Sequence, residues 1–595
     1  MPANGKYPQC AVLVVIWAVI YLGSLSGPAL FDDADTVHAE AVREMVSSGD
    51  WVTLRIDNGL RYLEKAPFMY WMSALSVKLF GLTDWAVRLP VALFSLFLTL
   101  LIYRFGNRFW GEKAGFYSAL VYVTSLGPYA FTRIFLPDVI LAFFMALSFY
   151  FYLQVVFDPE PSRKLFGRWD RRALGIYASA AMAVLTKGLV GVIFVGLVIL
   201  AHIALTKRWG ILKKLEIIPG IVLFLLIAAP WHLAAGFSNK GFFWFYFMNE
   251  HFLRYLGLRY PKDYDTVPRW LFWTLHMAWL FPWTAYAWGF MKTFPRKPRP
   301  ESRTDQINLF LYLWILLILI FFSFSTTQEY YTFPTLSAFA LLLGQVLAWV
   351  DSKEGIGDHR KARIGLAIVA GVSVLIGAGL FSLAWLGQNM GHAGDLSSTL
   401  TINPDKYALS FGHIHDLTSA TFGHLASLVY RTALLFLIGP TLAFIVSFRR
   451  RWQLSAFCLA LTMMGVLQCY HGGMIAFQPI LSSSGLAQTI QSQYRPEDRI
   501  FINGVYERGS SINYYTHIQV SILNGHFGNL WYGSFYPDAP HIFYDDDSFL
   551  ELWGSRQRIF LFSEDQPFEK FLRKHPDFNY RLLAREGEKK VVVNW

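Results

Sequence analysis

The feature that most constrains this chain is a series of thirteen apolar runs, most of them about 20 residues long. A bilayer has a hydrocarbon core of roughly 30 Å, which an α-helix crosses in about 20 residues. The sequence therefore predicts a polytopic α-helical membrane protein with about 13 transmembrane helices. The predicted spans lie near 9–30, 84–104, 114–132, 136–156, 173–186, 188–206, 215–236, 269–291, 308–325, 331–350, 364–386, 428–447 and 453–474.

The composition excludes a water-soluble enzyme for most of the chain, because 54% of the residues are hydrophobic and only 16% are charged. The formal charge of +11 does not indicate a nucleic-acid partner, because residues 482–595 hold 12 Lys and Arg against 14 Asp and Glu. The excess of basic residues belongs to the membrane part. Its three cysteines lie in apolar runs, which excludes a disulfide framework or a Cys-rich zinc site.

The distribution of basic residues predicts the orientation in the membrane. If the N-terminus is cytoplasmic, six short loops on the cytoplasmic side hold 24 Lys and Arg. They are the loops 104–113, 157–172, 207–214, 292–307, 351–363 and 448–452. Cytoplasmic loops of membrane proteins are enriched in these residues. We therefore expect a cytoplasmic N-terminus and an extracytoplasmic C-terminus.

Three predicted outer segments exceed ordinary connectors: 31–83, 237–268 and 387–427. In the first, Val37, Ala41 and Met45 recur at a spacing of four, which is typical of an amphipathic helix lying at the membrane face. Asp35 is a natural N-cap for this helix, and Gly49 is expected to end it. We expect function to reside in these long outer loops.

The pattern changes after residue 481, which divides the chain into a membrane domain, 1–481, and an extracytoplasmic α/β domain, 482–595. Strand-like apolar runs occur at 499–506, 518–523, 558–564 and 590–595, with helical patterns near 484–494 and 567–575. This region contains no phosphate-binding loop or zinc spacing. We interpret it as a recognition or stabilising domain that does no chemistry.

An acidic cluster follows the first span, where Asp32, Asp33 and Asp35 lie within four residues. Carboxylates this close repel one another, which raises the pKa of at least one and suits a proton acceptor or a cation site. A solvated turn with a helix cap explains the same residues about equally well.

Four further charged clusters lie at the predicted outer face. A charged residue near the membrane is costly, so we expect each to have a partner or a function. They are Glu64 with Lys65, Asp138, Lys187 beside Gly188, and Glu250 with His251 and Arg254. Three of them have a simpler explanation, whereas capping of a helix end explains Gly188 but not Lys187. Lys65 could reach the interface paired with Glu64, Asp138 could cap a helix or pair with Arg133, and Arg254 could pair with its own neighbours. Because all lie on one face, we expect them to form one site.

The motifs of this region resemble those of the C-type integral-membrane glycosyltransferases, among them the bacterial aminoarabinose transferases and the protein O-mannosyltransferases. The resemblance rests on DDADTVHAEAVREMVSSGDWVTLRIDNGLRYLEKAPFMYW, on the Asp138 segment, and on LTKG, NEHFLRY and SFSTTQEYYTFPTLSAFALLL. It covers residues 31 to about 345 by the order and spacing of motifs, and the remainder by architecture alone.

This resemblance implies transfer of a sugar from a polyprenyl-phosphate carrier to a lipid, glycan or protein acceptor at the outer face, usually with inversion. By motif, the acidic cluster would hold the catalytic base and Asp138 a second catalytic carboxylate. Lys65 would contact the carrier phosphate. Residues implied to bind the donor or its phosphate also include Lys187, Arg254, Tyr330 and Tyr331. Glu64 and His251 occupy positions where relatives can bind a divalent cation.

The sequence departs from the family at two places. Relatives have Asp-Glu shortly before a Tyr-Ala-Glu, whereas this chain has Asp32, Asp33 and Asp35 before His38. The base is therefore ambiguous between Asp33 and Asp35. Because Asp35 is expected to cap the helix, which would lower its pKa, we predict that Asp33 is the base. Relatives of the aminoarabinose type also often carry a lysine where this chain reads TTQEYY, so donor and acceptor remain open.

Two other functions fit parts of the pattern. A multi-span secondary transporter of a charged lipid or sugar also needs many spans and buried charges, but transporters usually show internal repeats, and none is visible here. A non-catalytic scaffold that displays the terminal domain would leave the five charged clusters without a role. The sequence therefore favours the glycosyltransferase.

Overall fold

The computed structural model describes residues 6–158, 164–165, 167–262, 266–297, 299–325, 327–389, 396–401 and 412–595. The prediction of a polytopic helical membrane protein is confirmed, since eight helices in these ranges are long and apolar enough to cross a membrane. They are Asp84–Trp110, Asp138–Phe157, Ile217–Ser238, Arg303–Ser323, Glu329–Val350, Glu354–Gln388, Ala426–Phe448 and Trp452–Ala476. Two shorter apolar helices are Pro8–Leu22 and Val190–Thr206. The predicted count of 13 spans is not confirmed.

Some predicted spans are broken into shorter pieces. The run 114–132 forms two helices, Glu112–Val123 and Leu126–Arg133. The run 269–291 forms the helix Arg269–Trp279, a 3₁₀ turn and the helix Gly289–Thr293. Proline has no backbone N–H and clashes with the preceding turn, and Pro282 lies at the break in the second run. Hydropathy alone does not reveal such breaks, because the residues around them are as apolar as the helices.

The remaining helical segments of the membrane part are short or irregular. The α-helices are Lys6–Trp17, Ala34–Ser48, Phe68–Phe80, Arg171–Lys187, Ser419–His424 and Gln478–Leu481. Ala18–Leu22 and Trp244–Leu253 are π-helical, and 3₁₀ turns include Trp209–Lys214, Trp283–Tyr286 and Glu329–Thr335. Two hairpins of two-residue strands pair Arg55–Ile56 with Leu60–Arg61 and Lys164–Leu165 with Trp169–Asp170. Much of the predicted outer segment 387–427 lies outside the described residues.

The helix Ala34–Ser48, called here the juxtamembrane helix, confirms the amphipathic stripe and ends at Gly49 as predicted. Gly49 adopts a left-handed conformation, with φ 72°, and its N–H donates to Met45 O. The predicted position at the membrane face does not leave its polar side exposed, because Glu40 and Glu44 are buried as well. The helix packs between Phe68–Phe80 and the terminal-domain helix Ser510–Thr516, so both of its sides are buried.

Beyond the membrane helices, six strands form one mixed sheet in the order Phe543–Tyr544, Val520–Leu523, Arg499–Asn503, Ile559–Glu564, Lys589–Val593 and Arg581–Glu586. The first four strands are parallel to one another, whereas Lys589–Val593 pairs antiparallel with both Ile559–Glu564 and Arg581–Glu586. Helices Ser484–Gln493, Ser510–Thr516, Asp546–Trp553 and Asp565–Lys574 accompany the sheet. The four predicted strand segments coincide with strands, and Phe543–Tyr544 and Arg581–Glu586 were not predicted.

The four strands Val520–Leu523, Arg499–Asn503, Ile559–Glu564 and Lys589–Val593 are buried on both faces, which explains their continuous apolar character. On one face Phe501 and Leu561 pack with Phe549 and Phe571 of the flanking helices. Neighbouring strand residues point to the other face, because side chains alternate along a strand. That second face belongs to the same apolar core as the membrane helices. The terminal sheet is therefore packed onto the membrane part rather than tethered to it.

Candidate active site

A cavity of about 330 Å³ lies where several helix ends and irregular segments of the membrane part meet. One part of its wall is polar and aromatic, and another is apolar. The polar and aromatic residues are His38, Glu64, Lys65, Tyr70, Asp138, Thr186, Lys187, Tyr246, Glu250, His251, Arg254, Tyr255, Ser325, Tyr330 and Tyr331. The apolar residues include Leu136, Leu141, Leu189, Val190, Ile193, Phe194, Phe247, Phe252, Phe321 and Phe322.

The cavity brings together four of the five predicted charged clusters. Glu64 and Lys65 follow the short hairpin after the juxtamembrane helix, and Asp138 begins a long apolar helix. Lys187 ends the helix Arg171–Lys187, and the cluster around Glu250 lies in the π-helix Trp244–Leu253. All the residues predicted to bind the donor or its phosphate line this cavity. Their predicted roles remain predictions, but the structure shows that these residues lie around one cavity.

Asp138 forms an ion pair with Lys187, at 2.6 Å between Oδ1 and Nζ. The expected alternative, a pair with Arg133, is wrong, because the Arg133 guanidinium donates to Gly27 O. Within the described residues Asp138 Oδ2 is buried without a hydrogen-bond partner. A buried acceptor left unsatisfied is costly, so a donor from a bound molecule would stabilise it.

Lys187 is held by the geometry of the turn that follows it. Gly188 has φ 77°, and a Cβ there would lie 2.0 Å from His251 Nε2, so only glycine fits. The Lys187 ammonium lies 4.9 Å from the ring centroid of Tyr330 and 5.2 Å from that of Tyr331. These distances permit cation–π contact. The lysine is therefore fixed by a carboxylate and two aromatic rings at the cavity wall.

Glu64 and Glu250 share one buried arginine. Arg259 Nη2 lies 2.8 Å from Glu64 Oε2, and its Nε lies 2.8 Å from Glu250 Oε1. Lys65 is 2.7 Å from Glu64 Oε1, so the simpler explanation of this lysine also describes a real contact. Arg254 lies 3.3 Å from Glu250. The result is a chain of alternating charges along one side of the cavity.

Burial and the neighbouring cations shift the pKa of both Glu64 and Glu250. Burial would raise the pKa of Glu64, but Lys65 and Arg259 outweigh it and lower the pKa to about 2. Burial raises the pKa of Glu250, and Arg259 only partly opposes this. Glu64 therefore keeps its negative charge and neutralises the cations around it.

The predicted metal site at Glu64 and His251 does not fit the geometry. His251 Nδ1–H donates to Tyr246 O at 2.6 Å, and its Nε2 accepts the Leu189 N–H at 3.2 Å, so both ring nitrogens are in use. Both Glu64 oxygens face cations. The described residues contain no group of three or more His, Cys, Asp or Glu arranged to hold a metal ion. The polar atoms that a cation would need are already bonded.

Both cavity histidines are neutral. Burial lowers the pKa of His38 to about 3 and that of His251 to about 4. His38 Nδ1 lies 2.8 Å from the Tyr70 hydroxyl. A neutral imidazole with such a low pKa is a poor proton acceptor at neutral pH, and neither histidine adds charge to the cavity.

The acidic cluster does not reach the cavity, whose described lining includes neither Asp33 nor Asp35. Asp33 lies against the terminal domain, and its N–H is within bonding distance of Glu507 O and Ser510 Oγ. Asp32 pairs with Lys589 at 2.7 Å. This placement does not support Asp33 as the base, and that assignment remains a prediction.

The expected capping role of Asp35 is wrong. Asp33 is the residue before the helix, and Asp35 lies fully buried inside its first turn. Its Oδ1 accepts the Phe135 N–H at 2.7 Å, and its Oδ2 lies 3.2 Å from Arg88. Asp35 therefore fixes the segment that leads to Asp138, instead of binding the ends of its own helix.

Arg259 and Lys589 were missed by the sequence analysis. Arg259 lies in the irregular segment after Leu258, where no periodicity marks a buried position, and its importance comes from two glutamates 195 and 9 residues away. Lys589 lies 557 residues from its partner, Asp32. The excess of carboxylates over bases in the first acidic cluster is the signal that a distant cation was needed.

The amino-acid sequence of this chain is similar to those of several known proteins. Residues 64–233 match a family model described as dolichyl-phosphate-mannose-protein mannosyltransferase. Undecaprenyl phosphate-α-4-amino-4-deoxy-L-arabinose arabinosyl transferases are similar over longer stretches. That of Pectobacterium atrosepticum is 26% identical over 362 residues, covering 60% of this chain and 61% of the relative. That of Pseudomonas aeruginosa is 28% identical over 369 residues, covering 61% and 64%. The chain thus matches about three fifths of the length of these relatives.

Solved structures match over the whole chain. Cupriavidus metallidurans ArnT bound to undecaprenyl phosphate has a TM-score of 0.78 and 25% identity, covering 100% of this chain and 99% of that one. An Archaeoglobus fulgidus oligosaccharyltransferase tethered to an acceptor peptide has a TM-score of 0.52 at 11% identity, covering 94% and 70%, and shows similarity of fold alone. The predicted resemblance to C-type membrane glycosyltransferases is confirmed.

Proposed function

We propose that this protein is a glycosyltransferase that moves a sugar from a polyprenyl-phosphate donor to an acceptor hydroxyl at the outer face of a bacterial cytoplasmic membrane. The observation that carries the proposal is the composition of the cavity. A cluster of fixed lysines, arginines and carboxylates adjoins an apolar wall within one space. A polyprenyl-phosphate sugar has the same division into a phosphate and a hydrocarbon chain. The names of the relatives, which act on undecaprenyl-phosphate-linked sugars, support the same donor class.

The donor phosphate would lie against Lys65. Its side chain is 30% exposed, while that of its partner Glu64 is 3% exposed, so the ammonium faces the cavity and the carboxylate lies behind it. Arg254 is held in the same manner by Glu250. A fixed cation meets the negative charge that grows on the phosphate as the bond to the sugar breaks, and it needs little rearrangement to do so.

The apolar wall suits the first part of the prenyl chain. Val190 and Phe194 come from the helix after Lys187, and Phe321 and Phe322 come from the end of Arg303–Ser323. Burial of isoprenoid surface against these side chains would stabilise the bound donor by roughly 25 cal/mol per Å² of apolar surface removed from water. A donor so anchored presents its sugar to the polar part of the cavity, where Asp138 lies.

Asp138 is the proposed proton acceptor. Its Oδ2 has no partner within the described residues, whereas both oxygens of Glu64 are held by cations. As the acceptor oxygen attacks the anomeric carbon, its proton passes to Asp138, and the bond from that carbon to the phosphate oxygen breaks. A single displacement from the opposite side inverts the anomeric carbon. Lys187 keeps the carboxylate in place during the transfer.

The arrangement in the membrane follows from the same proposal. The cavity lies at the outer face, the N-terminus is cytoplasmic, and the terminal domain is extracytoplasmic. The basic loops predicted to be cytoplasmic support this orientation. Labelling of cysteines introduced at exposed positions such as Glu551 should succeed from outside intact cells. Labelling that requires permeabilisation of the cytoplasmic membrane would contradict the orientation.

The function itself is tested with the purified full chain in lipid nanodiscs. Undecaprenyl phosphate should bind and raise the melting temperature. Lys65→Met should weaken this binding about tenfold, equivalent to about 1.4 kcal/mol, while leaving the ligand-free protein nearly as stable. Lys78→Met is the matched control, because Lys78 is exposed and does not line the cavity. Equal losses in both variants, or no binding by the parent protein, would contradict the proposal.

The acceptor is identified by mass spectrometry of envelope lipids, glycans and glycoproteins from cells with and without the gene. A sugar-sized mass difference that returns with the wild-type gene and not with Asp138→Asn names the sugar and the acceptor together. Unchanged envelope molecules, combined with substrate uptake by the purified protein, would favour a transporter instead.

A further inference from the structure

We infer that the sugar transferred by this site carries no positive charge, which distinguishes it from the amino sugar named for the similar arabinosyl transferases. The inference rests on the proposed function and concerns the class of donor that the same cavity accepts. It depends on how the lining carboxylates are used.

Each carboxylate that the described lining contributes is already paired with a cation of the chain. Asp138 is 2.6 Å from Lys187, and Glu250 is within ion-pair distance of both Arg254 and Arg259. Glu64 lies 2.7 Å from Lys65 and 2.8 Å from Arg259. All three residues are buried, with at most 7% of their surface exposed. The described wall therefore contains no carboxylate whose charge is left for a ligand.

The faces of two lining tyrosines, Tyr330 and Tyr331, are used in the same way. A protonated amine without a carboxylate can still bind over the face of a tyrosine ring. In this cavity the ammonium of Lys187 already lies over Tyr330 and Tyr331, within about 5 Å of both ring centroids. A second ammonium at these rings would have to approach Lys187, and like charges repel. At these two rings the aromatic alternative is therefore closed as well.

The polar atoms without partners suit hydroxyl groups instead. Asp138 Oδ2 and the Tyr246 hydroxyl are both buried without a hydrogen-bond partner in the described part of the chain. A hydroxyl can donate to the first and accept from the second, and it does not alter the charge balance. Transfer of an unpaired ammonium into the cavity would instead cost the hydration of a full charge. The geometry favours a neutral sugar.

The test uses the full chain in nanodiscs and two synthetic donors that differ at one position. One is undecaprenyl phosphate-linked L-arabinose, and the other is its 4-amino-4-deoxy counterpart. We expect the neutral donor to compete about tenfold more strongly than the amino donor against labelled undecaprenyl phosphate at pH 7. Acetylation of the amine removes the charge but adds bulk, so recovery of binding by the acetylated donor assigns the difference to charge.

A variant of the chain provides a second measurement. Lys187→Gln removes the cation that neutralises Asp138, so the ratio of amino-donor to neutral-donor affinity should rise about tenfold even if both affinities fall. Lys78→Gln, which lies outside the cavity lining, should leave this ratio unchanged.

The outcomes separate the inference from the function on which it rests. If undecaprenyl phosphate and the neutral donor bind, but the amino donor binds equally well or better, the inference is wrong and the function stands. An unchanged ratio in Lys187→Gln would also overturn the inference. If neither donor nor undecaprenyl phosphate binds, the proposed function is wrong, and the inference falls with it.

Discussion

Two buried groups of charges in this protein look alike in the sequence and differ in the structure. The first, at Asp32, Asp33 and Asp35, lies between the membrane part and the terminal sheet. The second, at Glu64, Asp138 and Glu250, lines a cavity. Asp32 and Asp35 are held by backbone N–H groups and by cations that face the protein interior. In the second group the partner cations Lys65, Lys187 and Arg254 line the cavity.

An acidic motif is not a proton acceptor merely because it contains several carboxylates. Asp32 accepts hydrogen bonds from the Ser511 N–H and the Ser483 hydroxyl and pairs with Lys589. It therefore joins the segment after the first helix to the terminal domain. Within the described part of the chain, Asp138 is bonded through Oδ1 to Lys187, and its Oδ2 is buried without a hydrogen-bond partner. A free acceptor oxygen beside a cavity, rather than the number of nearby carboxylates, identifies the better candidate base.

The largest expected effect separates the two groups directly. Asp138→Asn should lower the rate of sugar transfer about 10²–10⁴-fold, the usual range for loss of a general base, with donor binding retained. Asp33→Asn should leave the rate within a few-fold of wild type. Single-turnover transfer and melting temperature, measured for both variants, check this. An inactive but folded Asp33→Asn protein beside an active Asp138→Asn protein would reverse the assignment.

Arg259→Met tests the alternating charges of the cavity. Removal of this arginine leaves two buried glutamates short of a cation, and loss of one partner from a buried pair costs about 3–5 kcal/mol of folding free energy. We expect a large drop in melting temperature.

A compensating variant shows the origin of this loss. Arg259→Met combined with Glu64→Gln and Glu250→Gln removes the unpaired charges and should recover part of the stability. If the triple variant is no more stable than Arg259→Met, packing of the arginine rather than its charge explains the effect.

Lys589→Met tests the interface group. Asp32 would keep its bonds to Ser511 and Ser483 but lose a charged partner, a change worth about 1.5–3 kcal/mol. Thermal unfolding and limited proteolysis between the membrane part and the terminal domain measure this loss. The double variant with Asp32→Asn should be less destabilised than the sum of the two single variants. Strict additivity would show that the pair is not coupled.

The smallest expected effect concerns pH. Burial lowers the folded-state pKa of His251 to about 4 from 6.5, so the unfolded chain binds more protons between these values and stability rises with pH across that window. Acidification from pH 6.5 to 4 should therefore remove on the order of 2 kcal/mol at this site. His251→Gln should flatten the dependence of melting temperature on pH. His541→Gln, at an exposed position, is the control and should leave the slope unchanged.

Residue patterns predicted much of the fold because the relevant signals are local. The long apolar helices follow from the need to satisfy backbone hydrogen bonds inside a bilayer, and the end of the juxtamembrane helix follows from the left-handed conformation that Gly49 allows. The breaks at Ser125 and Pro282 were missed, since apolar residues surround both. The strand Arg581–Glu586 was missed because its exposed edge position permits charged side chains.

The charged cavity residues Glu64, Lys65, Asp138, Lys187, Glu250 and Arg254 were named from the sequence. Of their pairings, only those between near neighbours, Glu64 with Lys65 and Glu250 with Arg254, were among the alternatives. Lys187 was placed near the outer turn, yet only the folded chain joins it to Asp138, 49 residues earlier. Arg133 was the nearer candidate in sequence, and the structure directs it to Gly27 O. A side chain several ångströms long can reach any of several neighbours, so proximity along the chain does not decide which pair forms.

The sequence by itself determined that this is a helical membrane protein with charged clusters at helix ends, and which residue types those clusters contain. Hydropathy and motif spacing are visible in the sequence without knowledge of the fold. Only the tertiary structure decided that Asp32 binds Lys589 and that Arg259 joins Glu64 to Glu250. It also leaves Asp138 Oδ2 without a hydrogen-bond partner among the residues that the structure describes. The physical reason is that charge neutralisation in a low-dielectric interior is a matter of distance in space. Residues 195 or 557 positions apart become partners only when packing brings them within about 3 Å.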